Sequence, residues 1–253
     1  MDFTKLSAEE VLTSSGSEYH KRGMEFFHLQ LAALNSSHFV MDHVIAFPYH
    51  LFVQARDSLF FRLVFNNFFA GSVLAITRLL TDQGRQFFTL PRFKNRVRAS
   101  VKAAYSREFD AYLRSLRFDP TTRTLMHKAE ALRNTRLAHV LEEAVFQATQ
   151  QQALRFSDLK TLTSSVNSHL QGLAFNTDLL MLPFQYSDRV QHPPGSDSRP
   201  DIEKLLDEIA RHSRTLNLPE TNPELWIMER RYTTEQDLEL INRYREKFSL
   251  ARV

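Results

Sequence analysis

The sequence predicts an all-α fold: an antiparallel helical bundle of the four-helix type, with extra N-terminal and C-terminal helices. Three observations point there. Glycine is scarce, 6 residues in 253, whereas an all-β chain needs tight turns throughout. Apolar residues recur at three- and four-residue spacing through most of the first 182 positions. Helix start and stop signals fall between those runs. Phe is abundant at 21 residues, so aromatic rings must fill much of the core.

Ser7-Ala8-Glu9-Glu10 is a capping-box pattern that starts a short helix, and Gly16 reads as the end of that region. A second helix is predicted over about 18–34, with Met24, Phe27, Leu31 and Leu34 inward. Asn35-Ser36-Ser37 is expected to interrupt it before a further apolar segment at 38–47, and Pro48 breaks or kinks the chain. The longest helix is predicted over about 49–81. Arg56, Asp57, Arg62, Asn66, Asn67 and Arg78 interrupt its apolar run. It is therefore read as a buried helix and not as an apolar span of about 20 residues. Pro91 marks a loop, and one helix is expected over roughly 94–116. Asp119-Pro120 supplies an N-cap followed by proline at the first helical position. The helix so started should run through Leu125, Ala129 and Leu132 towards Val140. Ser157 or Asp158 caps a helix to about Leu182. The turn-rich stretch 191–200 reads as a linker. Two more helices are predicted beyond it, over about 201–216 and from Thr233 or Thr234 to about Phe248. The expected organisation is thus a bundle domain over 1–190, a linker over 191–200 and a helical appendage over 201–253.

Composition narrows the function classes. The chain has no cysteine, which excludes disulfides, thiolate metal sites and a cysteine nucleophile, and fits a reducing cytoplasm. Met1–Gly16 holds Asp2, Glu9 and Glu10 and lacks an apolar core, so no secretory signal and no membrane partner are expected. The net charge is +3, but it is unevenly placed. From Arg92 to Arg136 twelve Lys and Arg stand against four Asp and Glu, a net +8. The rest of the chain is therefore net negative. A basic segment on an otherwise acidic chain is an electrostatic footprint for a polyanion; a solvated face of Arg-rich helices has the same composition.

Motifs for several chemistries are missing: no glycine-rich phosphate loop, no Gly-x-Ser-x-Gly elbow, no His-Glu-x-x-His. His38 and His43 are five apart and His20 and His28 eight apart, without carboxylates at ligand spacing, so neither a metal site nor any cofactor is expected. The remaining constellation is Leu132-Arg133-Asn134-Thr135-Arg136-Leu137-Ala138-His139. Arg22 and His28 repeat its Arg-to-His spacing, but Gly23 follows Arg22 where Asn134 follows Arg133.

Arg133, Asn134 and His139 resemble the hallmark of the HEPN superfamily, small helical bundles with Arg, a polar residue directly after it, and His after four to six residues. The helix order resembles the AbiU-like, abortive-infection branch. There a long apolar helix, here ending Ile76-Thr77-Arg78-Leu79-Leu80-Thr81-Asp82, precedes the Arg-Asn…Ala-His segment, and another helix comes after it, here from Phe156. The resemblance covers about residues 20–182. It implies a homodimeric, metal-independent endoribonuclease, a toxin or phage-defence effector that a protein partner such as an antitoxin would neutralise. Arg133 would hold the scissile phosphate, Asn134 would orient, and His139 would move protons. Arg136 and Lys128 are the expected contacts to the RNA. Where family members often carry charged residues after the His, this chain has Val140-Leu141. That departure favours the other expectation, a non-catalytic helical module binding RNA, a nucleotide or a partner protein.

The residue types suit the chemistry. Cleavage by the RNA's own 2′-hydroxyl needs a group that gains and loses a proton near neutral pH, which is the property of histidine. It needs a permanent cation on the phosphate, and guanidinium can bond two oxygens at once. On an ideal helix, positions 133 and 139 point about 120° apart. Either the helix distorts between them or the site is shared with a second copy. Local structural roles exist too: Arg133 is placed to pair with Glu130, and His139 to cap a helix C-terminus.

Overall fold

The fold is all-α. The structure is a computed structural model, and it describes residues 1–47, 59–81, 88–137, 154–176, 199–206, 235–247 and 252. Among these, after a 3-10 turn at Phe3–Lys5, the named helices are α1 (Ala8–Val11), α2 (Ser14–Ala46), α3 (Leu59–Leu80), α4 (Leu90–Ala99), α5 (Ser106–Ser115), α6 (Pro120–Leu132), α7 (Phe156–Leu173) and α8 (Glu235–Lys247). A π-helical turn, Arg133–Leu137, continues α6, and residues 201–206 are helical. The chain forms two units. One comprises Met1–His38 and Phe69–Phe184, the other Phe39–Phe68 and Gln185–Val253.

Local signals act as the sequence leads one to expect at two helix starts. At α1, Ser7 Oγ accepts from Glu10 N at 3.2 Å while Glu10 Oε2 accepts from Ser7 N at 2.6 Å. These reciprocal bonds satisfy two otherwise orphaned donors. At α6, Asp119 Oδ1 accepts from Thr122 N at 2.9 Å, and Pro120 occupies the first helical position. Thr122 also holds the Asp119 carboxyl below the ordinary carboxylate range.

Elsewhere the boundaries move. Asn35-Ser36-Ser37 does not interrupt α2, which runs unbroken for 33 residues. Ser36 Oγ donates to Ala32 O at 2.8 Å and Ser37 Oγ to Ala33 O at 3.0 Å, so both hydroxyls are satisfied one turn back and leave the ladder intact. Gly16 ends nothing. It lies in the first turn of α2, where Gly16 N donates to Thr13 Oγ1 at 3.3 Å, and a Cβ there would overlap the Ser100 side chain. Pro91 is inside α4 near its start, not in a loop. The single helix expected over 94–116 is two helices. Thr13 N donates to Ser100 O and Lys102 N to Val11 O, each at 2.9 Å, around an antiparallel bridge between Leu12 and Val101. These long-range bonds claim backbone groups that a continuous helix would use. α7 begins at Phe156, with Asp158 Oδ2 accepting from Arg155 N at 2.8 Å, and stops at Leu173, well short of Leu182. Phe175 comes next but one, with φ 54°. The predicted segments at 48–58, the Asp82-Gln83-Gly84 terminator, the 191–198 part of the linker and Thr233–Thr234 lie outside the described residues.

The core of the first unit gathers residues from α1 to α7. Phe3, Phe27, Phe93 and Phe109 are fully buried. Phe93 lies 5.3 Å from the Phe27 ring and 6.0 Å from that of Tyr19, and Phe3 meets Phe109 edge-on at 5.0 Å. Such offset and T-shaped pairs add to plain area burial. Polar ties reach between helices: His20 Nε2 donates to Leu173 O at 2.7 Å, and Tyr112 Oη donates to Gly172 O at 2.6 Å. The second unit has its own small core of Val44, Phe47, Phe61 and Leu206. Within it His43, fully buried, bonds Glu203 Oε1 through Nε2 at 3.0 Å and Phe39 O through Nδ1 at 2.8 Å.

α3 departs from the expected buried helix. One face is covered, including Val73, Ile76, Leu79 and Leu80, but Leu63, Phe68 and Leu74 are exposed. The stretch Phe61–Leu80 is long and apolar enough to cross a membrane by length and composition, and a third of its most apolar window is buried. Arg62 and Arg78 do not prevent that.

Two glycines give opposite expectations. A Cβ at Gly23 would overlap the Phe93 ring, which is packed on several sides and cannot withdraw. Gly23→Ala should therefore destabilise the fold by about 1–3 kcal/mol. A Cβ at Gly71, inside α3, meets nothing within 4 Å. Gly71→Ala should gain about 0.5–1 kcal/mol from helix propensity. Urea unfolding of both variants beside wild type measures the contrast, and equal midpoints would contradict it.

Candidate nucleic-acid interface

The Arg133 motif begins where α6 ends. Up to Leu132 the helix is regular; from Arg133 to Leu137 it widens into a π turn. Wide turns of this kind are rare and concentrate at functional sites. Arg133 is half-buried, and its Nε donates to the Oδ1 of exposed Asn134 at 3.0 Å. Thr135 Oγ1 donates back to Ala131 O at 2.8 Å, using a carbonyl near the distortion. Among the described residues no ion pair joins Arg133 to Glu130. One partner of the Arg133 guanidinium is therefore the side chain of the next residue. Lys128 is half-buried on α6. Arg136 has its backbone in the π turn; its side chain lies outside the described residues, as does the whole of His139. The motif is therefore described at Arg133 and Asn134 alone.

On an ideal helix, six steps fall about 120° short of two full turns. A π turn holds more residues per turn, so each of its steps is smaller. The direction of position 139 lies outside the described residues.

Among the described residues, cations gather on α4, at Arg114 and Arg117 around the end of α5, and at Arg123 on α6. A groove of about 290 Å³ runs between α4 and α5, lined by Lys94, Asn95, Arg98, Asp110, Arg114 and Arg117 with Leu113 at its base. A second hollow of about 380 Å³ shares Lys94 and Arg117 and reaches Arg123 on α6 and His169 on α7. The cations here have different tasks. Arg98 grips Asp110 through two bonds, Nε to Oδ1 at 2.6 Å and Nη2 to Oδ2 at 2.7 Å. That fork joins α4 to α5 and neutralises Arg98; it also pulls the Asp110 carboxyl below its ordinary range. Lys94 Nζ donates to Leu113 O at 3.0 Å, near the C-terminal end of α5. Burial, then the nearby Arg117 charge, pull its pKa down. Among the described residues neither Arg117 nor Arg123 pairs with a carboxylate. Lys94, Arg117 and Arg123 therefore form an uncompensated positive corner, with Lys94 and Arg117 repelling one another.

His169 sits at that corner, 4.7 Å ring-to-ring from Phe118. It is buried, and burial followed by the Lys94 charge push its pKa down to about 4. It is neutral at physiological pH and keeps one nitrogen to donate and one to accept. Nothing local in the sequence marks His169, because it lies in the apolar register of α7 beside Leu162, Val166 and Leu173 and resembles core filling there. Its partners Phe118 and Lys94 come from other elements. Three of the four histidines weighed as metal ligands have structural occupations: His20 on Leu173 O, His43 on Glu203, and His38 against the Phe156 ring at 5.5 Å. Among the described residues no group of three His, Asp or Glu is placed to hold a metal ion. No protein-family model, curated protein or solved structure matches this chain.

His169 has a pH consequence. An unfolded chain binds its proton near pH 6.5, the folded one near pH 4, so between these values unfolding takes up a proton. The stabilisation is complete above pH 6.5 and is lost as pH falls towards 4. Relative to His169→Leu, wild type should lose about 2–3 kcal/mol between pH 7.5 and pH 4.5. Urea melts of both proteins at the two pH values measure this, and an NMR titration midpoint near 6.5 for His169 would refute it.

Proposed function

We propose that this chain is a metal-independent endoribonuclease of the HEPN type, working as a homodimer in the cytoplasm. The observation that carries the reading is the π turn that opens at Arg133, with Asn134 holding the guanidinium. Regular helix runs from the Asp119 cap to this point, so the distortion coincides with the motif and with no proline or glycine that would otherwise cause it. The basic corner supports the same reading. Arg123 lies on α6 ten residues before Arg133, about 15 Å along the helix axis. One short RNA segment spans that length.

In this reaction the 2′-hydroxyl loses its proton to one His139 imidazole, and its oxygen attacks the adjacent phosphorus. The 5′-oxygen leaves with a proton from a second imidazole, giving a 2′,3′-cyclic phosphate and a free 5′-hydroxyl. Arg133 stabilises the charge that builds on the phosphoryl oxygens, and Asn134 fixes its fork. Residues six apart on an ideal helix point about 120° apart, so the groove is assembled from two copies, each supplying its Arg and its His.

The decisive assay is cleavage of a broad RNA panel in EDTA. Wild type should cut and leave cyclic phosphate ends, and Arg133→Ala and His139→Ala should each lose about 10²–10⁴-fold in rate. Equal cutting by all three proteins, or no cutting by wild type, ends the ribonuclease reading. Tight, salt-sensitive RNA binding without cleavage would instead identify a non-catalytic RNA-binding module.

A further inference from the structure

The hollow between α4, the α5–α6 junction and α7 is lined by two unlike kinds of side chain. Lys94, Arg117 and Arg123 are cations, and among the described residues no acid lines the space. Leu90, Pro91, Leu116 and half-buried Phe118 supply apolar wall. Neutral His169 joins them, its ring against that of Phe118. The volume, about 380 Å³, falls within the range of small-ligand sites. A site for bare polyanion needs no apolar wall, and a site for a purely apolar molecule needs no three cations. The occupant must carry a multivalent anion joined to a flat, weakly polar body.

We propose that this hollow is a nucleotide subsite, in which Lys94, Arg117 and Arg123 hold a phosphate and Phe118 with Pro91 receives the base. His169 supplies one donor and one acceptor to the base edge, which is what a nucleobase presents. A phosphate would also relieve the repulsion between Lys94 and Arg117, so binding removes an unfavourable interaction between the two cations. Stacking on aromatic and flat side chains is tolerant of base identity. The choice of a nucleotide over other aromatic anions rests on the ribonuclease reading, but the subsite is separate from Arg133 and is tested without cleavage.

The full chain is titrated calorimetrically with uridine 5′-monophosphate, uridine and inorganic phosphate. The nucleotide should bind at least roughly tenfold tighter than either fragment. Arg117→Glu, an exposed position, should weaken the nucleotide by more than about tenfold, while the charge-matched Arg107→Glu outside the hollow should not. Phe118→Ala should erase the preference for nucleotide over phosphate; Phe118→Leu serves if circular dichroism shows that the alanine variant unfolds. Equal affinity for nucleotide and phosphate, no effect of Arg117→Glu, or displacement of the nucleotide by a medium-chain fatty acid at similar concentration would overturn the proposal. Displacement by a single-stranded RNA octamer would place the subsite on a strand, and retention beside the octamer would make it a site for free nucleotide. A chain that binds uridine monophosphate but cuts no RNA keeps this inference and loses the ribonuclease reading. A chain that cuts RNA and binds the nucleotide no better than phosphate does the reverse.

Discussion

The pairing of residues 11–13 with 100–102 governs the geometry of the basic region. Two backbone bonds and the close approach of Gly16 to Ser100 stop α4 where its sequence would let it continue. The chain then turns through a 3-10 segment, Ala103–Tyr105, into α5. Without that stop, Lys94 and Arg117 would lie 23 positions apart on one rod, about 35 Å along its axis. With it, α5 packs back along α4, and the two cations line the same hollow. Charge that is spread along the sequence is concentrated by a backbone contact that carries no charge.

The same folding sorts the cations by task. Lys102 is spent on the carbonyls of Glu9 and Glu10, at 2.6 and 3.0 Å, which reinforces the pairing itself. Arg96 stands over the Tyr19 ring, 5.8 Å from its centre, and Arg98 locks Asp110. These three hold helices in place. Among the described residues, Lys94, Arg117 and Arg123 pair with no carboxylate. A net charge counted along the chain mixes these groups, and the anion-facing part is the remainder after the structural pairs are removed.

How much of this was legible in the sequence depends on the range of the interaction. The Ser7–Glu10 box and the Asp119-Pro120 cap act within one helical turn, so the residues that decide them are neighbours along the chain. The all-α class followed from period and from scarce glycine, which are also local. Asn35-Ser36-Ser37 misled because the hydroxyls that favour turns can equally bond the carbonyl four residues back, and the surrounding apolar register decides between the two. The division of α4 from α5, and the meeting of His169 with Phe118 and Lys94, depend on segments far apart in the chain, and no window of sequence contains both partners. At the motif, sequence geometry offered distortion or a second copy. A distortion is present from Arg133 to Leu137, and position 139 lies outside the described residues.

The wide turn at Arg133–Leu137 also has a bearing on register. A π turn holds one residue more than the α turn it replaces. Remove one residue from this stretch and α6 could continue with regular i→i−4 bonding, but every later side chain would be turned by about 100° about the axis. The surplus residue therefore acts as a phase shifter. It offsets the phase of Arg133–Leu137 from the core-facing stripe of Thr122, Leu125 and Ala129 before it. Related chains that differ in length here by a single residue would keep the helix and lose its aim.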